Sequence, residues 1–158
     1  MGFNEVDLAK QEYIFSAIFT LANHFQVFGN KVDPAVSLKQ WFVLATISKF
    51  TDAPPNLGDI AKMLRTSRQN IKKITVILES KGYVQLKKDT NDLRNIQLFL
   101  TEKCFDYFKS RERQENKYME QIFSNIDNKI LSSLCDGLEK LIENIDVIME
   151  GDENAERR

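Results

Sequence analysis

Five cations lie between Ile60 and Leu78 with no acid among them: Lys62, Arg65, Arg68, Lys72 and Lys73. Ser67, Gln69 and Asn70 are interleaved with them. Arginine and lysine pair with guanine or phosphate, and glutamine and asparagine bond adenine through two atoms at once. Charge of one sign concentrated in this way is the footprint of a surface that meets nucleic-acid phosphates. Lys87, Lys88, Asp92 and Arg94 follow in the next stretch and extend the set. The plainer reading of such a run is a solvated face. What decides between the two is the element that carries it.

Nothing else in the chain is as dense in chemistry. His24 is the only histidine, and Cys104 and Cys135 lie far apart and form no C-x-x-C. The nitrogen and sulfur ligands of a structural zinc site are therefore lacking. There is no G-x-x-x-x-G-K, no G-x-S-x-G and no pairing of nucleophile with base. Six glycines leave no loop that would cradle a phosphate. The expectation is a protein that is not an enzyme and needs neither metal nor cofactor. Lys plus Arg number 22 against 23 Asp plus Glu, with a pI near 5.9, so any affinity for DNA must be local. A hydrophobic content of 42% and a charged content of 28% are those of an ordinary soluble chain. No apolar run reaches about 18 residues. The N-terminus has no basic segment leading into an apolar one, so neither a membrane span nor a secretory signal is read and a cytoplasmic location is the default.

The elements that position the cations follow from periodicity. Leu57, Ile60, Ala61 and Leu64 recur at the spacing of a helix that buries one stripe, with Asn56 as N-cap. Arg65-Thr66-Ser67 interrupts the pattern, and Thr66 with Gln69 forms a T-x-x-Q capping box for a second helix over 67–81, closed by Gly82. Ile71, Ile74, Thr75, Leu78 and Ile77 take its buried side. Ser67, Arg68, Gln69, Asn70, Lys72, Lys73 and Val76 then face outward. A helix is the element that fits the major groove. Tyr83 to Lys88 and Asn95 to Leu100 alternate apolar and polar, so each reads as a half-buried strand. Between them Asp89-Thr90-Asn91-Asp92-Leu93-Arg94 forms a charged hairpin tip. Two short helices, a tight turn and a charged hairpin make a winged helix-turn-helix.

The ordered series Gln40-Trp41-Phe42-Val43-Leu44, Leu57 to Leu64, Ser67 to Gly82, and Asp92-Leu93-Arg94-Asn95 leading to Leu98-Phe99-Leu100-Thr101-Glu102 resembles the MarR family of bacterial transcription regulators. The D-x-R step in the wing, followed by a strand ending in L-T, is its most specific mark. The resemblance covers roughly residues 10–148. It implies that the second helix lies in the major groove, and that Arg94, held by Asp92, reaches into an adjacent minor groove. A guanidinium entering a narrow electronegative groove gains most when a carboxylate has already fixed its direction. The resemblance also implies a small aromatic or phenolic effector. Phe25, Trp41 and Phe42 are the candidates to line its cleft, although each is equally suited to the core. Leu100-Thr101-Glu102-Lys103-Cys104 departs from the family's L-T-x-x-G. A thiol beside a lysine at a helix start is either oxidisable, with a lowered pKa, or a small buried apolar residue.

The remaining helices must carry the reading elements. A long helix from about Val6 to Phe28 bears Ile14, Ile18, Leu21, Ala22, Phe25 and Phe28 on one side and Phe15 and Phe19 on a neighbouring one. That stripe is too wide for a helix resting on one surface, so burial in a larger core or against another copy is required. Gly29 to Ala35 reads as a connector, and Ser37 with Gln40 caps a helix running to about Phe50. After the wing, Thr101 caps a helix that is apolar at both ends and polar from Lys109 to Lys117. Asp127 caps the last helix, where Leu131, Leu134, Leu138, Leu141, Ile145 and Ile148 form a heptad seam flanked by Cys135, Ile142 and Met149.

The expected fold is mainly α with a small β-hairpin wing. Residues 36–101 form the DNA-binding domain, 1–35 and 102–150 a helical dimerisation body, and 151–158 a disordered tail. The expected function is that of a ligand-responsive repressor that binds a pseudo-palindromic operator as a homodimer. A winged helix that only binds other proteins is the alternative.

Overall fold

The computed structural model describes residues 5–88 and 95–156. Its elements are α1 (Glu5–Val32), α2 (Leu38–Ile47), α3 (Leu57–Met63), α4 (Arg68–Ser80), β1 (Val84–Lys88), β2 (Ile96–Leu100), α5 (Glu102–Ile122) and α6 (Asn128–Glu156). The chain forms two compact units that divide within α5, one ending at Ser110 and the other beginning at Arg111. No described helix is long and apolar enough to cross a membrane.

In the first unit, α1 runs past Phe28 to Val32, through the segment expected to be a connector. A Cβ on Gly29 would stand 2.9 Å from Leu38 Cβ, so this glycine marks the close approach of α1 to α2 and not a helix end. The helix then stops where Asp33 Oδ1 accepts from the backbone N–H of Ala35 and Val36, at 2.8 and 3.1 Å. The box expected at Ser37 is present: its hydroxyl accepts from Gln40 N at 3.3 Å while Gln40 Oε1 accepts from Ser37 N at 3.2 Å. Asn56 caps α3 by accepting from Gly58 N and Asp59 N, and Asp59 reaches back to Asn56 N at 2.8 Å. The starts of α2 and α3 are therefore fixed by local bonds.

The core of the unit lies among α2, α3, α4 and the hairpin. Val43, Leu44, Ile60, Ile71, Leu78, Val84 and Leu98 are fully buried in it. Each such side chain contributes about 1.5–3 kcal/mol on leaving water. Thr75 is buried with them because its hydroxyl donates to the Ile71 carbonyl at 3.0 Å. Trp41, Ile74, Tyr107 and Phe108 pack around this centre. Ile77, expected on the inner side, is 44% exposed.

β1 and β2 pair antiparallel from Val84 opposite Leu100 to Lys88 opposite Ile96. Asn56 bridges to Gln97 and Leu98 N donates to the Pro55 carbonyl at 2.9 Å, which ties the hairpin base to the α2–α3 linker. Most of α1 stays outside this core: Tyr13, Phe15 and Phe19 are 75%, 66% and 60% exposed. Burial inside this chain's own core, one of the two options for the wide apolar stripe, does not occur for them.

In the second unit, Asp127 Oδ1 accepts from Ile130 N at 2.8 Å and caps α6 as expected. The helix continues through Gly151 to Glu156, so the segment up to that residue is helical where a disordered tail was expected. Leu134, Leu138, Leu141, Ile142, Ile145, Ile148 and Met149 all remain exposed along α6.

Candidate nucleic-acid interface

The turn between α3 and α4 is built without glycine. Arg65 adopts φ 47°, the left-handed region, and donates its N–H to the Lys62 carbonyl at 3.3 Å while Thr66 N donates to the Ala61 carbonyl at 3.0 Å. These two bonds satisfy the last carbonyls of α3 in the manner of a Schellman motif. The chain leaves the turn so that Ser67, and not Thr66, becomes the cap of α4: its hydroxyl accepts from Asn70 N at 3.1 Å. Thr66 has a different task, accepting from Asn70 Nδ2 at 3.0 Å. The T-x-x-Q box expected from the sequence does not form, because adjacent hydroxyl residues compete and the left-handed Arg65 decides which one reaches the helix start.

From this cap, Arg68, Gln69, Asn70, Lys72, Lys73 and Val76 project into solvent, while Ile71, Thr75 and Leu78 turn to the core. Ser67 and Arg65 are exposed at the same end. The helix thus presents three cations beside two amides on one outward surface, with Arg65 in the turn before it and the amide of Asn70 engaged on its donor side by Thr66. In the hairpin, Lys87 and Lys88 are exposed, and Lys87 Nζ lies 4.9 Å from the Phe99 ring centroid. A ring face holds an ammonium weakly and leaves it free to meet an anion. Asp92 and Arg94 lie outside the described residues.

The far end of α4 is closed by Gly82, as expected from the sequence, and anchored by Glu79, Lys81 and Lys103, whose contacts its periodicity does not reveal. Gly82 takes φ 78° and closes the helix, with Gly82 N and Tyr83 N bonded to the carbonyls of Glu79 and Leu78. Glu79 Oε1 accepts from Leu86 N at 2.9 Å, joining helix to strand. Lys81 and Lys103 both bond backbone carbonyls around this end. α4 is thereby exposed on one face, packed on the core by Ile71, Thr75 and Leu78, and held at its C-terminal end.

The three aromatic candidates are placed differently. Trp41 is half-buried and meets Phe42 edge-on at 5.3 Å, while Phe42 and Phe25 are exposed. The Trp41 Nε1 atom is enclosed and meets no acceptor among the described residues. None of the three lines the cleft of about 300 Å³ formed by the end of α2, the 51–55 linker, β2 and Phe105. Cys104 is fully buried, and burial pushes its thiol up to about 11. The lowered pKa considered from the neighbouring lysine is not found, because Lys103 directs its ammonium to the Lys81 carbonyl and the Tyr83 ring. Among the described residues, no group of three or more His, Cys, Asp or Glu is placed to hold a metal ion.

Residues 36–96 match the model of the MarR family. Among solved structures, the chain is similar to a MarR transcriptional regulator from Methanosarcina mazei Go1, with a TM-score of 0.73 at 24% identity over 87% of this chain and 99% of that one. It is similar to S. aureus MepR in a DNA complex, with a TM-score of 0.74 at 16% identity over 83% of this chain and 97% of that one. Streptococcus pneumoniae FabT in complex with DNA gives a TM-score of 0.66 at 18% identity, covering 87% and 99% of the two chains. These likenesses establish the fold, which is the winged helix of MarR regulators. No curated protein sequence matches the chain.

Proposed function

We propose that this chain, which carries a MarR family domain over residues 36–96, is a transcription regulator that represses by occupying a pseudo-palindromic DNA site as a homodimer. The observation that carries the reading is the exposed face of α4. Arg68, Gln69, Lys72 and Lys73 stand clear of the core on a helix whose opposite side is packed on it. Such a helix enters a major groove with its N-terminal half, where cations meet phosphate and guanine and amides meet adenine. The hairpin lysines Lys87 and Lys88 extend the basic surface. Asp92 and Arg94 keep the minor-groove role that the family resemblance implies. MepR and FabT, two structures of the same fold, are described as complexes with DNA.

Two copies are needed for a two-fold site. The exposed apolar faces of α1 and α6 support a shared helical body, from which two reading heads would stand about one turn of DNA apart, roughly 34 Å. Effector response belongs to the same proposal. The partly exposed aromatic surface of Phe25, Trp41 and Phe42 is its candidate receptor, and a small aromatic ligand there would bias the helical body and hence the spacing of the heads.

The test is a titration of duplex fragments from upstream of the chain's own gene across a range of salt. The logarithm of the affinity should fall linearly with the logarithm of salt concentration. Lys72→Ala should reduce the slope by about one contact if Lys72 meets phosphate. A weak response that ignores salt favours the protein-interaction alternative, and the absence of binding at low ionic strength removes the proposal.

A further inference from the structure

Several side chains with no part in the outward face of α4 converge on its C-terminal end. Lys81 turns its Nζ away from the helix and donates to the Ala35 carbonyl at 2.6 Å and to Gln40 Oε1 at 3.0 Å. Ala35 lies in the connector between α1 and α2, and Gln40 in the first turn of α2. The connector is fixed in turn by Asp33, whose Oδ1 accepts from Ala35 N and whose Oδ2 accepts from Tyr107 Oη at 2.7 Å. Tyr107 packs against Tyr83 with ring centroids 5.2 Å apart, and Tyr83 follows directly after the Gly82 that ends α4. From α5, Lys103 Nζ closes the ring by donating to the Lys81 carbonyl at 2.7 Å and lying 4.8 Å from the Tyr83 centroid. The loop of contacts therefore returns to the helix it began from.

Two features of this ring separate it from general packing. The Lys81 ammonium spends two of its three protons on acceptors of the connector and α2, so it is directed inward and not toward a nucleic-acid partner. The Ala35 carbonyl that it holds lies just beyond the end of α1, the helix whose apolar face is left exposed. A rotation or shift of α1 moves that carbonyl, and the charge-assisted bond, shorter and stronger than a neutral one, ties the end of α4 to it.

We infer that Lys81 is a positioning residue for the reading helix: its ammonium, held between the Ala35 carbonyl and Gln40, locks the angle of α4 to the α1–α2 connector and couples α1 to the reading face. The inference rests on the DNA-binding reading above and concerns the regulation of that same surface.

The experiment uses the full chain and a labelled duplex enriched from a random-sequence pool by the unaltered protein, titrated at several salt concentrations. Lys81→Met keeps the stem and removes the ammonium. It is expected to weaken binding about tenfold, the scale of one hydrogen bond to a charged group, with an unchanged salt slope. Lys81→Arg, which retains donors at similar reach, is expected to keep most of the affinity. Undiminished affinity in Lys81→Met overturns the inference. So does a loss accompanied by a slope smaller by about one contact, since Lys81 would then be an ordinary phosphate ligand. Should Lys81→Met fail to fold, Lys81→Gln removes the ammonium on a shorter polar stem and leaves the Ser37–Gln40 cap of α2 in place. The same loss at constant slope supports the inference there, and full affinity overturns it. If the unaltered protein enriches no duplex, the DNA reading itself falls and the inference with it. If it enriches one that Lys81→Met binds equally well, only the positioning role falls.

Discussion

Cys104 lies in the first turn of α5 with no accessible surface, and burial alone raises its thiol from 9.0 to about 11. A neutral buried thiol is a poor nucleophile and a poor target for peroxide. Iodoacetamide applied to the native protein at pH 8 is therefore expected to leave Cys104 untouched and to label it once the chain is unfolded in urea, read by mass spectrometry. Labelling of Cys104 in the native protein would mean that α5 opens readily at its start. The raised pKa also sets a direction for stability. Unfolding releases the thiol to ionise at its ordinary value, so the stabilisation from the buried neutral form is intact below pH 9.0 and is lost as pH climbs through about 11. The urea midpoint should fall across that window, and Cys104→Ala should show a smaller fall. The sequence alone left this residue between two readings, because proximity of Lys103 along the chain says nothing of where its flexible stem directs the charge. The structure sends that charge to a helix C-terminus, where a cation meets the unsatisfied carbonyls.

Among the elements, the α3–α4 turn holds an arginine where helix ends favour glycine. Arg65 at φ 47° bears the crowding of its Cβ against the backbone, a penalty of about 1–2 kcal/mol for a side-chain-bearing residue. Arg65→Gly is expected to raise the free energy of unfolding in urea by about 1 kcal/mol and at the same time to weaken DNA binding. A drop in stability would mean that the arginine side chain holds the turn more strongly than its backbone strains it. This turn also marks the limit of what local pattern conveys. The paired helices, the outward set on α4, the box at Ser37 and the C-terminal Gly82 follow from spacing, since caps and stripes depend on residues three or four apart. The choice of Ser67 over Thr66 depends on a backbone angle that residue types do not dictate. Gly29 shows the same limit. A glycine inside an apolar pattern signals a helix end unless another helix approaches it, and Leu38 does. The Lys81 bond to Ala35 spans 46 positions, beyond any periodicity.

For the whole molecule, the physical question is what covers the apolar rows. The seam from Leu131 to Ile148 was legible because its three- and four-residue spacing is sustained over the length of α6, but a heptad states only that a partner is needed and not which one. Ile145, Val147, Ile148 and Met149 are each more than half exposed on α6, and Tyr13, Phe15, Phe19, Leu21 and Val27 likewise on α1. Monomeric proteins rarely leave continuous apolar rows of this kind in water. The proposed homodimer removes them from solvent, and it makes a direct demand on the DNA reading, because two heads on one body bind a two-fold site with an effective concentration that separate heads lack. Leu138→Glu combined with Ile145→Glu places carboxylates on the α6 row without touching the winged-helix core. Sedimentation should then find a single chain where the unaltered protein sediments as two, and the affinity for a full two-fold site should fall about a hundredfold while that for a half-site changes little. An unaltered protein that sediments as one chain at micromolar concentration would remove the dimer. Equal losses on full and half sites would instead mean that the glutamates had damaged the reading heads themselves.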